Sequence, residues 1–128
     1  MNLVFHSTET FEKDLQQFDI CLQGKIAQRV NEIAQAFIED RRVFALHARK
    51  PYNLQLSNGF ESSLYSIVVE PDWRVILTVD DDPLFEQTIV TLLRAVKRPD
   101  LYNAYTAVAE SLYQNLNGSI IKQGVLVG

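Results

Sequence analysis

The chain has 128 residues, of which 47% are hydrophobic and 22% charged, and its formal net charge is −4. This length allows one domain with a hydrophobic core and is too short for two ordinary ones, so we expect a single domain over residues 1–128. The net negative charge excludes a protein that coats nucleic acid through a broad basic face. No apolar run is long enough to cross a bilayer and the first twelve residues include two glutamates, which predicts a cytoplasmic protein without membrane association.

The N-terminal third predicts one strand and two helices. Residues 2–6 alternate as a short strand does, and Ser7 or Thr8 can cap the helix that follows. The second helix has apolar residues at spacings of four, three and four, and it is predicted to hold Arg41 and Arg42 in its last turn. Its apolar positions are Ile26, Val30, Ile33 and Phe37.

Residues 43–59 have no regular pattern apart from a brief edge strand predicted at 54–56. Three consecutive strands are expected after them, over 63–70, from Trp73 onward, and over 87–95. Short turns that contain proline and aspartate separate these strands, so we expect neighbouring strands to pair as antiparallel hairpins.

The last predicted element is a helix that begins near Leu101 and ends before Asn117. The tail at 119–128 is apolar enough to pair or pack, and we expect it to be either flexible or paired. A strand, two helices, three strands and a helix indicate an α+β domain, with helices on one face of a largely antiparallel sheet.

Cations are concentrated at the ends of two of these segments. One ten-residue window holds Arg41, Arg42, Arg49 and Lys50, and a second window holds Arg94, Lys97 and Arg98. Arg74 alternates with the apolar residues of its strand, so we expect it to point away from the most buried face. If folding brings these residues together, a basic patch could form on an acidic protein.

Three short segments stand out within this order of elements, namely Leu54–Phe60 (LQLSNGF), Trp73–Asp82 (WRVILTVDDD) and Leu93–Tyr102 (LRAVKRPDLY). Together with the order of elements, they resemble the RelE/ParE toxin superfamily, in which a strand arginine and a basic stretch followed by a tyrosine recur. The likeness covers roughly residues 1–113. It implies a RelE/ParE-like fold and a toxin of a type II toxin-antitoxin system.

Members of the RelE type cut messenger RNA on the ribosome by attack of a ribose 2′-hydroxyl on the adjacent phosphate. That chemistry needs a base, an acid and a cation for the developing charge. The resemblance implies catalytic roles for Arg74, Arg98 and Tyr102, without a metal or other cofactor. It also suggests substrate-binding roles for five further residues, namely His47, Arg49, Lys50, Arg94 and Lys97.

Each of these residues also has a structural interpretation. Arg74 could pair with a carboxylate such as that of Glu70 or Asp80, and Tyr102 could be a packing residue. Lys97 and Arg98 could be a solvated strand end, and His47 lies in no recognisable constellation.

Three functional classes therefore stay open at this point. The chain could be a ribosome-dependent endoribonuclease, a ParE-like protein that binds DNA gyrase, or a non-toxic protein of this fold that binds a regulatory partner. The first two imply an antitoxin protein as partner, and the first also implies contact with the ribosome and messenger RNA. A homodimer is a further possibility.

Overall fold

A computed structural model describes residues 2–50 and 63–112 of the chain. The predicted strand at 54–56 and the tail at 119–128 lie outside the described residues. In chain order the elements are β1 (Asn2–Ser7), α1 (Glu9–Gln16), α2 (Ile20–Glu39), α3 (Arg41–His47), β2 (Ala48–Arg49), β3 (Leu64–Glu70), β4 (Trp73–Asp82), β5 (Gln87–Lys97), a 3₁₀ turn (Arg98–Asp100) and α4 (Leu101–Leu112).

The described strands form one five-stranded sheet in the order β1-β5-β4-β3-β2. The predicted hairpins β3–β4 and β4–β5 are confirmed as antiparallel pairs. The first strand is different, because β1 runs parallel to β5 and forms the edge of the sheet. Three of the four described pairings are antiparallel, as expected of a largely antiparallel sheet, and the parallel pair β1–β5 makes the sheet mixed. The three helices after β1 carry the chain to the opposite edge of the sheet, where β2 lies.

Helices cover both faces of the sheet, so the prediction of helices on one face was wrong. The first three helices pack on one face, where Val75, Leu77 and Val79 of β4 meet residues such as Ile26 and Phe44. On the other face, α4 and the sheet form a second cluster, which contains Leu64, Ile76, Leu93, Val96, Ala104, Tyr105 and Ala109. The central strand β4 is therefore buried on both sides over residues 75–79.

Local capping explains where the helices begin. The side chain of Thr8 accepts a hydrogen bond of 3.1 Å from the backbone N–H of Phe11, which confirms one of the two predicted caps of α1. The prediction for Arg41 and Arg42 was wrong, because α2 ends before them and Asp40 caps a separate helix, α3. The interpretation of residues 43–47 as irregular was wrong for the same reason.

One extra residue interrupts the pairing of β4 with β5. Ile76 pairs with Arg94 and Leu77 pairs with Leu92, so Leu93 has no partner across the ladder. This bulge places Leu93 in the α4 cluster while Ala95, two residues later, lies in the cluster on the opposite face.

Candidate phosphate-binding surface

Arg74 is the second residue of β4 and faces the side of the sheet that α4 covers, opposite the face of its neighbour Val75. Its side chain is half-buried, and its Nη1 donates to the carbonyl oxygens of Trp73 at 3.0 Å, Pro71 at 3.1 Å and Glu70 at 3.4 Å. The guanidinium therefore holds the β3–β4 turn through backbone oxygens instead of through the predicted carboxylate pair. Its Nε and Nη2 make no hydrogen bond with any described residue, so a phosphate could bind there.

Arg98 lies at the same end of the sheet as Arg74. The backbone N–H of Arg98 donates to the carbonyl of Asp72 at 2.8 Å, so the chain stays beside the β3–β4 turn as it leaves β5. Arg98 is exposed, and Tyr102 follows in the first turn of α4 with 53% of its surface accessible. The three predicted catalytic residues thus belong to one region of the protein.

Arg49 reaches this face from the short edge strand β2. Its neighbour Ala48 packs in the cluster of the first three helices, so alternation along the strand places Arg49 on the α4 side. Arg49 pairs with Ser66, and Ser66 pairs with Ile76, two residues along β4 from Arg74. Strand spacing and residue rise put the Cα atoms of Arg49 and Arg74 about 12 Å apart, within joint reach of one nucleic-acid strand.

The seven arginines of the chain divide into two groups by their partners. Four have a carboxylate within ion-pair distance: Arg29 with Glu32, Arg41 with Asp81, Arg42 with Asp40, and Arg94 with Asp14. The other three, Arg49, Arg74 and Arg98, have none among residues 2–50 and 63–112. We call the region formed by Arg49, Val68, Arg74 and Arg98 the Arg74 surface.

Arg94 is held away from this surface by α1. Its Nε donates to Oδ2 of Asp14 at 2.7 Å and its Nη2 to Oδ1 at 3.4 Å. The same Oδ2 accepts the backbone N–H of Ala95 at 2.9 Å. A substrate-binding role for Arg94 stays a prediction, and this carboxylate neutralises the charge that the role would use.

Three other predicted substrate-binding residues make their described contacts on the face of the sheet opposite Arg74. The Nζ of Lys97 is 5.8 Å from the ring centre of Trp73, which packs on the opposite face of the sheet. The Nζ of Lys50 is 5.2 Å from the ring centre of Tyr65, which also belongs to that face. The Nδ1 of His47 lies 3.2 Å from Nη2 of Arg29, a residue of α2.

Sequence reasoning missed Val68, which lies across the β3–β4 ladder from Arg74. Val68 is 45% exposed although it is in the middle of an otherwise buried strand. Paired residues of neighbouring strands share a face, so Val68 and Arg74 place an apolar and a cationic group side by side. The hairpin turn at Pro71-Asp72 was the available signal, because it fixes this register.

No group of three or more His, Cys, Asp or Glu residues within 2–50 and 63–112 is arranged to hold a metal ion. In the same part of the chain, none of the helices combines the length and the apolar character that a membrane crossing requires.

A scan against protein-family models found no match to this chain, and a search of curated proteins found no significant match either.

Proposed function

We propose that this chain is a RelE/ParE-like toxin of a type II toxin-antitoxin system that engages RNA through the Arg74 surface, without a metal or other cofactor. The division of the seven arginines into those with and those without a described carboxylate partner supports this proposal. The three that lack a described carboxylate partner lie near the end of the sheet where β4 begins, whereas each of the other four is paired with a carboxylate. Guanidinium groups without a carboxylate partner are available to bind phosphate.

The surface suits a single strand better than a duplex. It is small and lies on a protein of net charge −4, so it offers few phosphate contacts. The exposed ring of Tyr102 and the exposed side chain of Val68 offer apolar contact to unpaired bases beside these cations. In cleavage, the ribose 2′-hydroxyl would form a bond to the phosphorus and lose its proton to solvent water, while Arg74 would stabilise the charge on the attacked phosphate. The bond to the 5′-oxygen would break, and that oxygen would take the phenol proton of Tyr102.

The placement of the histidines favours a second candidate, a non-catalytic protein of this fold that binds a partner such as gyrase or a regulatory protein. His6 is on the edge strand β1, and His47 is drawn toward α2 by Arg29. Neither imidazole makes a described contact with Arg74, and histidine is the commonest general base in proton-transfer catalysis. An antitoxin whose segment covers the Arg74 surface would fit either candidate.

Expression in a bacterial host with mapping of transcript ends tests the proposal. The double variant Arg49→Ala, Arg98→Ala removes two exposed guanidiniums and leaves the hydrogen bonds of the β3–β4 turn intact. We expect it to abolish growth arrest and transcript cleavage that the unaltered protein causes. Arg42→Ala is the matched control, because it removes an arginine whose side chain is 92% exposed and lies outside the Arg74 surface.

Arg74→Lys tests whether cleavage requires the guanidinium group of Arg74. Lysine keeps the charge but cannot donate to several carbonyls and to a phosphate in one plane, so we expect weakened cleavage in a protein that remains folded. Growth arrest without any cleaved transcript would favour the partner-binding candidate. Cleavage that is unchanged in the double variant would overturn the role of the Arg74 surface.

A further inference from the structure

The outer edge of β1 is open in the described part of the molecule. Among the strands of residues 2–50 and 63–112, β1 is terminal in the sheet and pairs only with β5. The backbone N–H of Asn2 donates to Glu86 at 3.1 Å and that of Thr8 donates to Leu92 at 3.0 Å, so even-numbered residues face β5. The N–H and C=O groups of Leu3, Phe5 and Ser7 therefore point outward, away from the sheet.

The exposed end of β5 shows how this protein covers another open edge. β1 pairs with β5 only as far as Leu92, so no described strand neighbours the following residues on that side. There the carboxylate of Asp14 accepts the N–H of Ala95 and occupies the place of a partner strand. No comparable side chain from the described residues bonds to the outward groups of β1.

β1 also lacks the sequence features that prevent an edge strand from pairing with another protein chain. Its sequence, NLVFHS, contains no lysine, acid or proline, and Phe5 is 41% exposed. Phe5 borders a groove of about 310 Å³ between β1, α1 and α2. Apolar side chains such as Phe11, Leu15 and Ile26 line most of that groove. The edge thus combines open backbone groups with exposed apolar surface.

We propose that β1 pairs with β1 of a second copy of this chain, antiparallel about a two-fold axis at Phe5. The outward N–H and C=O groups of one copy must face those of the other copy. In this register Leu3 lies opposite Ser7 of the partner subunit, and Phe5 lies opposite Phe5 of the partner subunit. It gives six backbone hydrogen bonds, whereas a shift by two residues toward the N-terminus gives four. The two sheets then form one continuous ten-stranded sheet.

The lack of charge and the exposed phenylalanine of β1 favour a second copy of this chain as its pairing partner. Because β1 carries no formal charge apart from His6 when that is protonated, self-pairing places no like charges directly opposite each other. The two-fold axis puts the half-exposed rings of Phe5 opposite each other on one face and covers both. The dimer lies at the sheet edge opposite β2, so it leaves Arg49 accessible and is independent of the proposed RNA contact.

Sedimentation velocity of the full chain over about 1–200 μM tests this inference. The unaltered protein should change from monomer to dimer within that range. Phe5→Pro removes one outward N–H without removing a bond to β5, and edge strands tolerate proline at such positions. We expect the dimer dissociation constant to rise at least about tenfold.

His6→Lys is the second variant, since His6 is exposed and its substitution does not disturb the core. Lysines at position 6 would lie diagonally across the two-fold axis and repel, so the dimer should weaken again. Gln35→Lys, on the exposed side of α2, adds the same charge elsewhere and should leave the dimer unchanged. Circular dichroism checks that each variant is folded.

A protein that stays monomeric at the highest concentration would overturn the inference. So would a dimer that folded His6→Lys does not weaken, because another surface would then hold the two copies together. If Phe5→Pro fails to fold, His6→Lys alone decides between these results.

Discussion

Replacing Asp14 with alanine should destabilise the fold through three lost hydrogen bonds. The carboxylate accepts from Nε and Nη2 of Arg94 and from the N–H of Ala95, and its side chain is only 13% exposed. The substitution leaves the N–H of Ala95, a 4% exposed residue, without its acceptor. It also leaves the guanidinium of Arg94, whose side chain is 32% exposed, without its partner.

The expected loss of stability follows from the free-energy cost of leaving each of these groups without its hydrogen-bond acceptor. An unsatisfied buried N–H costs about 1–3 kcal/mol, and the arginine recovers part of its hydration because a third of it is exposed. We expect a loss of about 3 kcal/mol in the free energy of unfolding. With an unfolding entropy of about 2.1 cal/mol/K per residue, this loss lowers the melting temperature by about 10 °C. Asp14→Asn keeps one acceptor oxygen and should lose about half as much.

Urea unfolding followed by circular dichroism measures both variants, and Glu9→Ala serves as their control. Glu9 lies on the same helix and pairs with Lys13 at 3.8 Å, but its side chain is 89% exposed. Its removal should change stability by no more than about 0.5 kcal/mol. An Asp14→Ala protein as stable as Glu9→Ala would refute the reasoning that this carboxylate holds α1 to the end of β5.

Three further outcomes are expected. Tyr105→Phe removes the 2.6 Å bond to the carbonyl of Leu64 and should cost about 1–2 kcal/mol in urea unfolding, while an unchanged midpoint would contradict it. Glu86 has a φ of 52°, so substitution by glycine should add about 0.5–1 kcal/mol to stability in the same assay, and substitution by alanine should not. For single-stranded RNA measured by fluorescence anisotropy, Arg49→Ala with Arg98→Ala should reduce the slope of log affinity against log salt by about 1.4, and an unchanged slope would exclude both contacts.

The parts of the fold that local sequence specifies were predictable. The long helix α2 and the hairpins around β4 follow from periodicity and from turn residues. The short helix α3 was not predicted because its seven residues are too few to show a period. The predicted end of α2 near Asp40 is confirmed, but the same residue also caps the start of α3. The run of apolar residues at 75–77 was a sign of burial on both faces, which only the position of α4 explains.

The candidate site was less accessible to sequence reasoning. The presence of Arg74 and Arg98 at one end of the sheet follows from the pairing of β4 with β5, and the predicted order of strands implied it. The carboxylate that engages Arg94 lies 80 residues earlier in the chain, and no local pattern links the two. Arg49 is placed in the Arg74 surface by a two-residue strand, β2, which is too short to be recognised from a sequence pattern.

The bulge at Leu93 constrains how this sequence can change. Deleting that one residue would leave Leu92 opposite Leu77 and Arg94 opposite Ile76, so the pairing would become regular and the remaining residues of β5 would keep their faces. The cost would be the loss of a 9% exposed leucine from the α4 cluster. Removing a residue from the regular part of β5 would instead turn the rest of the strand over, so related sequences should differ in strand length at the bulge and not elsewhere between Gln87 and Lys97.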